Sequence, residues 1–169
     1  GMSLGHGLNA ATQMGPLVSL RQAERVGGFI EGARAQGAEV VSGGERLGPA
    51  GTFISPTVIA GVKQDMEIVR EEVFGPVLAV QKFDDFDEVV AAANDSVYGL
   101  AASVWTESLS NAHRLSSRIK AGTGWINCHL MYDASLPIGG MKQSGYGREK
   151  GLLALEEMST TKTIVQHYE

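Results

Sequence analysis

Disulfides are excluded at once, because the 169-residue chain has one cysteine, Cys128. The same scarcity excludes a thiolate-rich zinc site. A lone thiol is compatible with a reducing cytoplasm, the compartment expected for this chain. Basic charge is also in the minority: 14 Lys and Arg stand against 19 Asp and Glu, for a net charge of -5. That balance argues against a nucleic-acid or anionic-membrane surface. No apolar run approaches the roughly 20 residues of a membrane helix. The opening Gly1-Met2-Ser3-Leu4-Gly5-His6 lacks the basic and apolar regions of a secretory signal. Gly1 ahead of Met2 has the pattern of a cloning remnant, which makes Met2 the expected start. His6, His113, His129 and His167 have no second metal ligand at i,i+3 or i,i+4, so no metal site is expected. A Gly-x-x-x-x-Gly-Lys-Ser/Thr loop and a serine triad are absent as well.

What is present fits one soluble domain over residues 1–169, with 43% hydrophobic and 20% charged residues. Ser19-Leu20-Arg21-Gln22 has the form of a capping box, and Leu20, Ala23, Val26, Ile30 and Ala33 follow at helical spacing. The spacing predicts a helix over residues 20–36, stopped at Gly37. A strand is expected at 38–41, a polar loop at 45–52 and a strand at 53–62 that Pro56 assigns to an edge or bulge. Further strands are expected at 77–83, 101–105, 124–127 and 161–168. Helices start at a second capping box, Asp85-Phe86-Asp87-Glu88, at Ser108 with Leu109, Ala112, Leu115 and Ile119 buried, and near residue 148. Strands alternating with helices imply an α/β fold with a largely parallel sheet.

The densest local signal is Glu71-Glu72-Val73-Phe74-Gly75-Pro76-Val77. Neighbouring carboxylates on extended backbone point to opposite sides, so only one of this pair can face a given site. Both are equally well read as solvated residues ahead of a strand. From its position beside Gly-Pro, Phe74 is expected to pack in the core. Gly145-x-Gly147-x-x-x-Gly151 invites a phosphate-cradle reading, but a long loop precedes it where a strand is required, so a structural turn is expected. Cys128-His129 is not expected to form a catalytic dyad, because adjacent side chains at a strand end diverge. Cys128 is expected to be structural.

In order along the chain, Met14-Gly15-Pro16, Gly43-Gly44, Ser55-Pro56-Thr57, the Glu71–Val77 run, Tyr98-Gly99-Leu100-Ala101 and Pro137 to Glu149 resemble the C-terminal third of the NAD(P)-dependent aldehyde dehydrogenase superfamily. The resemblance implies part of a three-layer αβα catalytic domain. It implies that Glu72 binds the hydroxyls of the nicotinamide ribose and that Phe74 lies near the nicotinamide. Tyr132 and Ile138 correspond to the lining of the aldehyde entrance, and the run from Cys128 to Asp133 is similar to enzymes for aromatic aldehydes such as phenylacetaldehyde. Residues 161–168 correspond to a terminal strand used in subunit assembly. NAD or NADP is the implied cofactor, an aldehyde the substrate, and a further copy or a complementary N-terminal chain the partner.

The family chemistry is thiolate attack on the aldehyde, hydride transfer to NAD(P) and hydrolysis of a thioester by activated water. Against that pattern Cys128 does not match the nucleophile, so no catalytic residue is assigned. The general base, the oxyanion asparagine and the Rossmann domain have no counterparts here. Gly124 stands where the family has an apolar strand residue and Ile138 where an aromatic is frequent, changes expected to loosen the strand or widen the pocket. The resulting expectation is an inactive fragment of an aldehyde-oxidising enzyme, with a non-catalytic assembly module as the alternative. A third reading is an independent small-ligand domain using the Glu72–Phe74 ridge.

Overall fold

In the computed structural model, residues 2–48 and 51–169 are described. Gly1, with its reading as a cloning remnant, and Pro49-Ala50 of the expected 45–52 loop lie outside them. The chain divides into two compact units, Gly1–Phe83 and Asp84–Glu169, where one domain was expected. Short strands, none longer than four residues among those described, keep each sheet small, and each unit packs its own helices. The α/β class stands. Parallel pairing is present, but it is accompanied by antiparallel pairs in three small sheets.

In the first unit, helix α1 (Leu20–Ala35) begins at Ser19, whose hydroxyl accepts the Gln22 N–H at 3.2 Å. It ends before Gly37, whose φ of 90° is cheap only for glycine. Ala23, Val26, Phe29, Ile30 and Ala33 form its buried stripe. Strands β1 (Glu39–Ser42), β4 (Thr57–Ala60) and β5 (Val77–Val80) lie in the order β1-β4-β5, with β1 antiparallel and β5 parallel to β4. Ile54, Ile59, Val62, Met66 and Ile68 complete the core with the α1 stripe. Burying each large aliphatic side chain contributes roughly 1.5–3 kcal/mol.

The expected 53–62 strand is two strands, β3 (Phe53–Ile54) and β4, broken at Ser55-Pro56. Pro56 has no N–H to donate, so the ladder stops there and resumes at Thr57. Beyond the break β4 is central and not an edge. Thr57 is 2% exposed; its hydroxyl accepts the Gly44 N–H at 2.9 Å and donates to the Ser55 carbonyl at 2.7 Å. The glycine pair and the Ser-Pro-Thr motif are thus one packed corner. Strand β2 (Arg46–Leu47) pairs with β3 inside the expected loop, and a single helical turn, α2 (Glu67–Arg70), was not foreseen.

In the second unit, helix α3 (Phe86–Asn94) starts at Asp85, whose carboxylate accepts the Glu88 N–H at 2.8 Å. Glu88 reaches back to the Asp84 N–H at 3.0 Å, a capping box displaced by one residue. Strand β6 (Ala101–Val104), helix α4 (Leu109–Arg118) and strand β7 (Thr123–Ile126) form a βαβ unit with parallel strands. Ala112 is buried on the sheet side of α4, whereas Leu109, expected beside it, is exposed at the first turn. Asn127 holds the end of β7: its side chain accepts the Thr106 N–H at 2.8 Å and donates to the Thr106 carbonyl at 2.9 Å.

Helix α5 (Gly151–Glu157) is shorter than expected. The strand expected at 161–168 does not form, and Ile164, Val165 and Tyr168 are exposed. An extended segment becomes a strand only beside a partner for its N–H and C=O groups, and among the described residues it has none.

Ile59 is fully buried in the first unit. Ile59→Ala is expected to lower stability by about 2–5 kcal/mol, measured as a shift in the urea unfolding midpoint.

Candidate functional site

The Glu71–Val77 motif is a ridge leading from α2 into β5, exposed at Glu71, Glu72 and Phe74 while Val73 and Val77 pack against the core, and α1 holds it by the backbone. The Gln22 side-chain amide donates to the Val73 carbonyl at 3.0 Å and to the Phe74 carbonyl at 2.9 Å. The Arg25 guanidinium donates to Val73 at 2.8 Å and to the Glu72 carbonyl at 2.9 Å. Three consecutive carbonyls are therefore occupied by two side chains one helical turn apart. Arg25 is itself steadied over the Phe29 ring, 4.7 Å from its centroid. Gly75 closes the approach: a Cβ there would meet Val26 Cγ2 at 2.6 Å.

This clamp bears on Phe74, which has a φ of 51° and a 73% exposed ring. A left-handed non-glycine residue costs on the order of 1–3 kcal/mol and persists where its surroundings over-determine it. Phe74 is not in the core, contrary to the reading from its neighbours: the positive φ turns the ring outward while its carbonyl is held inward. Glu72 is exposed and anchored through its carbonyl. Glu71 instead lines a cavity of about 510 Å³ with Arg25, Phe29, Glu67 and Arg70. Glu72 does not line that cavity.

The second unit carries a separate cavity of about 300 Å³ between β7 and the loop that follows it. Tyr132 and Ile138, the two expected pocket residues, both line it, together with Gly124, Trp125, Leu136 and Pro137. Trp125, 7% exposed, organises the wall. Its indole N–H donates to the Met131 carbonyl at 2.8 Å, and its ring lies edge-on to Tyr132 at 5.3 Å and to His129 at 5.4 Å. The Lys150 ammonium sits 4.9 Å from the Tyr132 ring centroid. Ile138 is fixed by paired 2.7 Å backbone hydrogen bonds with Glu149. At the rim, Asp133 accepts from the Ser135 hydroxyl at 2.6 Å and from its N–H at 2.8 Å. The hydroxyl bond foremost, then the N–H, hold the Asp133 carboxyl below its ordinary range, and the Lys150 charge adds to them.

Other candidates are not assembled into sites. His129 Nδ1 pairs with the Ser103 hydroxyl at 2.8 Å, and Cys128 is half-buried beside it in sequence. The glycine run is a turn: the Arg148 N–H is taken by the Glu157 carboxylate at 2.8 and 2.9 Å, and its guanidinium by the Gly140 and Gly147 carbonyls. Among the described residues no group of three or more His, Cys, Asp or Glu is placed to hold a metal, and no helix is long and apolar enough to cross a membrane. Gln22, Arg25 and Trp125 were missed as site residues. Gln22 was absorbed into the capping box, yet its side chain leaves that role to bind carbonyls 51 and 52 residues away. The one available signal for Trp125 was a large aromatic beside Gly124 on a strand leading into the pocket loop.

The model of the Aldehyde dehydrogenase family matches residues 1–164. A betaine aldehyde dehydrogenase of Rhizobium leguminosarum bv. trifolii is 49% identical over 166 residues, 96% of this chain and 34% of that protein. The structure of NAD-dependent aldehyde dehydrogenase from Sinorhizobium meliloti superposes with a TM-score of 0.90 at 46% identity, over 94% of this chain and 32% of that one. An NAD+ complex of aldehyde dehydrogenase from Bacillus cereus gives a TM-score of 0.87 at 50% identity, over 92% of this chain and 32% of that one. The chain spans about a third of the length of the curated relatives it matches. These findings correct the C-terminal placement expected above. They match residues 1–164 here and about a third of each relative, so they carry family and extent, and the C-terminal assignment is withdrawn.

Ser135→Ala removes the larger of the two hydrogen bonds to Asp133 and is expected to raise its pKa toward the ordinary carboxylate value, read by carbon-detected NMR titration. Because the folded value is depressed, the ionised rim turn adds stability above the ordinary carboxylate range and loses it as pH falls through the lowered value. The variant should narrow that pH window; an unchanged titration would remove Ser135 as the cause.

Proposed function

Because the chain belongs to the aldehyde dehydrogenase family, we propose that it is a portion of an NAD(P)-dependent enzyme that oxidises an aldehyde to a carboxylic acid. The carrying observation is the ridge. Its backbone is locked by Gln22 and Arg25 while the Glu72 carboxylate and the Phe74 ring are left exposed. An ionised carboxylate only accepts hydrogen bonds and has two oxygens, which fits the paired hydroxyls of a ribose. An exposed ring on locked backbone fits a flat heterocycle. The residues present thus suit NAD or NADP, with Glu72 as ribose contact and Phe74 as ring contact. When bound, the nicotinamide supplies the hydride acceptor. Glu72 orients the ribose, and Phe74 limits ring motion and keeps water away.

In the second unit, Tyr132 and Ile138 are the proposed aldehyde contacts, and the aromatic wall supports an aldehyde such as phenylacetaldehyde. The isolated chain is proposed to be inactive. Its one thiol, Cys128, is half-buried, and the His129 Nδ1 pairs with the Ser103 hydroxyl, with no contact to the thiol among the described hydrogen bonds. The cytoplasm is the proposed location, in keeping with an unpaired cysteine. A second reading, pairing with another copy or with a chain carrying the rest of the family's length, is supported by residues 161–168. There Ile164, Val165 and Tyr168 are exposed beside unpaired backbone.

An NAD(P)-reduction assay with phenylacetaldehyde tests the main reading. The chain alone is expected to give no turnover and, by calorimetry, no measurable NAD binding. Joined by the remaining part of a relative, it is expected to turn over. In that reconstituted enzyme Glu72→Gln should raise KM for NAD by about tenfold, the cost of one weakened charge-assisted contact. Turnover by the chain alone that disappears in Cys128→Ala would overturn the assignment of Cys128 as non-catalytic.

A further inference from the structure

Lys150 stands in a place whose backbone does not call for a lysine. Its φ of 63° lies in the left-handed region, which glycine and asparagine enter far more readily. The backbone on either side of it is fixed to the pocket loop. Glu149 exchanges two 2.7 Å hydrogen bonds with Ile138, and the Gly151 N–H donates to the Ala134 carbonyl at 3.0 Å. The Lys150 side chain makes no capping hydrogen bond to α5. It reaches the pocket loop instead, where its ammonium stands 4.9 Å from the centre of the Tyr132 ring. The same charge helps to hold the next residue, Asp133, ionised. Asp133 is the only charged residue among those that line the cavity of about 300 Å³, and Tyr132 lines it too.

An aromatic ring beside a carboxylate is the equipment of a cation site: the ring face attracts a cation, and the carboxylate supplies the opposite charge. In this chain both groups belong to the cavity lining, and both already face a cation that the chain itself carries. We propose that Lys150 is a specificity-determining residue, a tethered cation that takes up Tyr132 and Asp133 and so turns away aldehydes bearing a quaternary ammonium group. Uncharged aldehydes are left free to enter. This rests on the substrate-pocket reading of Tyr132. Tethering decides the competition, because an ammonium delivered by backbone held at two points acts at a high effective concentration against any free cation. An incoming trimethylammonium group meets like charge and finds neither ring nor carboxylate available. An uncharged aldehyde needs neither of them, and Leu136, Pro137 and Ile138 offer it apolar surface. Selection by charge does not require an enclosed cavity, and the Tyr132 ring is half exposed.

Choline and its uncharged isostere 3,3-dimethylbutan-1-ol share a shape and differ in charge, so the pair separates charge from size. Binding of each to the full chain is followed by NMR shifts of the Trp125 indole N–H and the Tyr132 ring. In the wild type the uncharged probe is expected to give saturable shifts and choline to bind about fivefold more weakly or worse. Lys150→Met keeps a stem of similar length without the charge. Choline should then bind at least as tightly as the isostere, with Tyr132 and Asp133 both released. Lys150→Arg keeps the charge and should keep the wild-type preference. Equal binding of the two probes by the wild type, or a preference unchanged in Lys150→Met, overturns the inference and leaves the pocket reading standing. A preference lost in Lys150→Arg as fully as in Lys150→Met also overturns it, because the lysine would then be serving the local fold. Absence of any shift with the uncharged probe in the wild type overturns the pocket reading, and the inference with it.

Discussion

The ridge depends on four hydrogen bonds from α1 to the carbonyls of Glu72, Val73 and Phe74. Those carbonyls sit in a segment without regular structure, where water would otherwise be their partner. Gln22 and Arg25 replace it with donors fixed to a helix, and the helix is fixed by its buried stripe of Ala23, Val26, Phe29, Ile30 and Ala33. Hydrophobic burial on one face of α1 is thereby converted into geometric control on another. Phe74 holds a left-handed conformation because of it, and Gly75 allows the close approach to Val26 that brings the ridge within reach.

The second unit works by a different device. Its pocket is organised around one buried aromatic, Trp125, which touches His129 and Tyr132 and donates to Met131. The surrounding loop is held by backbone pairing at Ile138 and Glu149 and by the Asp133–Ser135 turn. Strand β7 lines the cavity with Thr123, Gly124 and Trp125. A βαβ unit commonly places its working residues where strands give way to loops, and that is where this cavity lies.

Much of the local structure was legible because it is encoded at short range. Ser19, Asp85 and Ser108 each cap the helix their spacing announced. Pro56 was expected to place one 53–62 strand at an edge or bulge; instead it divides that strand, and the part beyond it is central, since a missing N–H says where a ladder stops but not who its neighbours are. Tyr132 and Ile138, far apart in type and separated by a loop, line one cavity. Phe74 shows the limit. Beside Gly-Pro it looked like core, and only its backbone conformation turns it out to solvent. The 161–168 segment shows another: β-branched and aromatic residues state a preference for strand, while a strand also needs a neighbour.

By itself the sequence determined the α/β class, the family resemblance and the starts of the helices capped by Ser19, Asp85 and Ser108, because each follows from residue type and local spacing. Only the tertiary structure decided the division into two units, the clamp of Gln22 and Arg25 on a motif some fifty residues away, the outward ring of Phe74 and the open space at Gly124. The physical reason is the same in each case. These features depend on which distant atoms come within a few ångströms, and spacing along the chain carries no record of that.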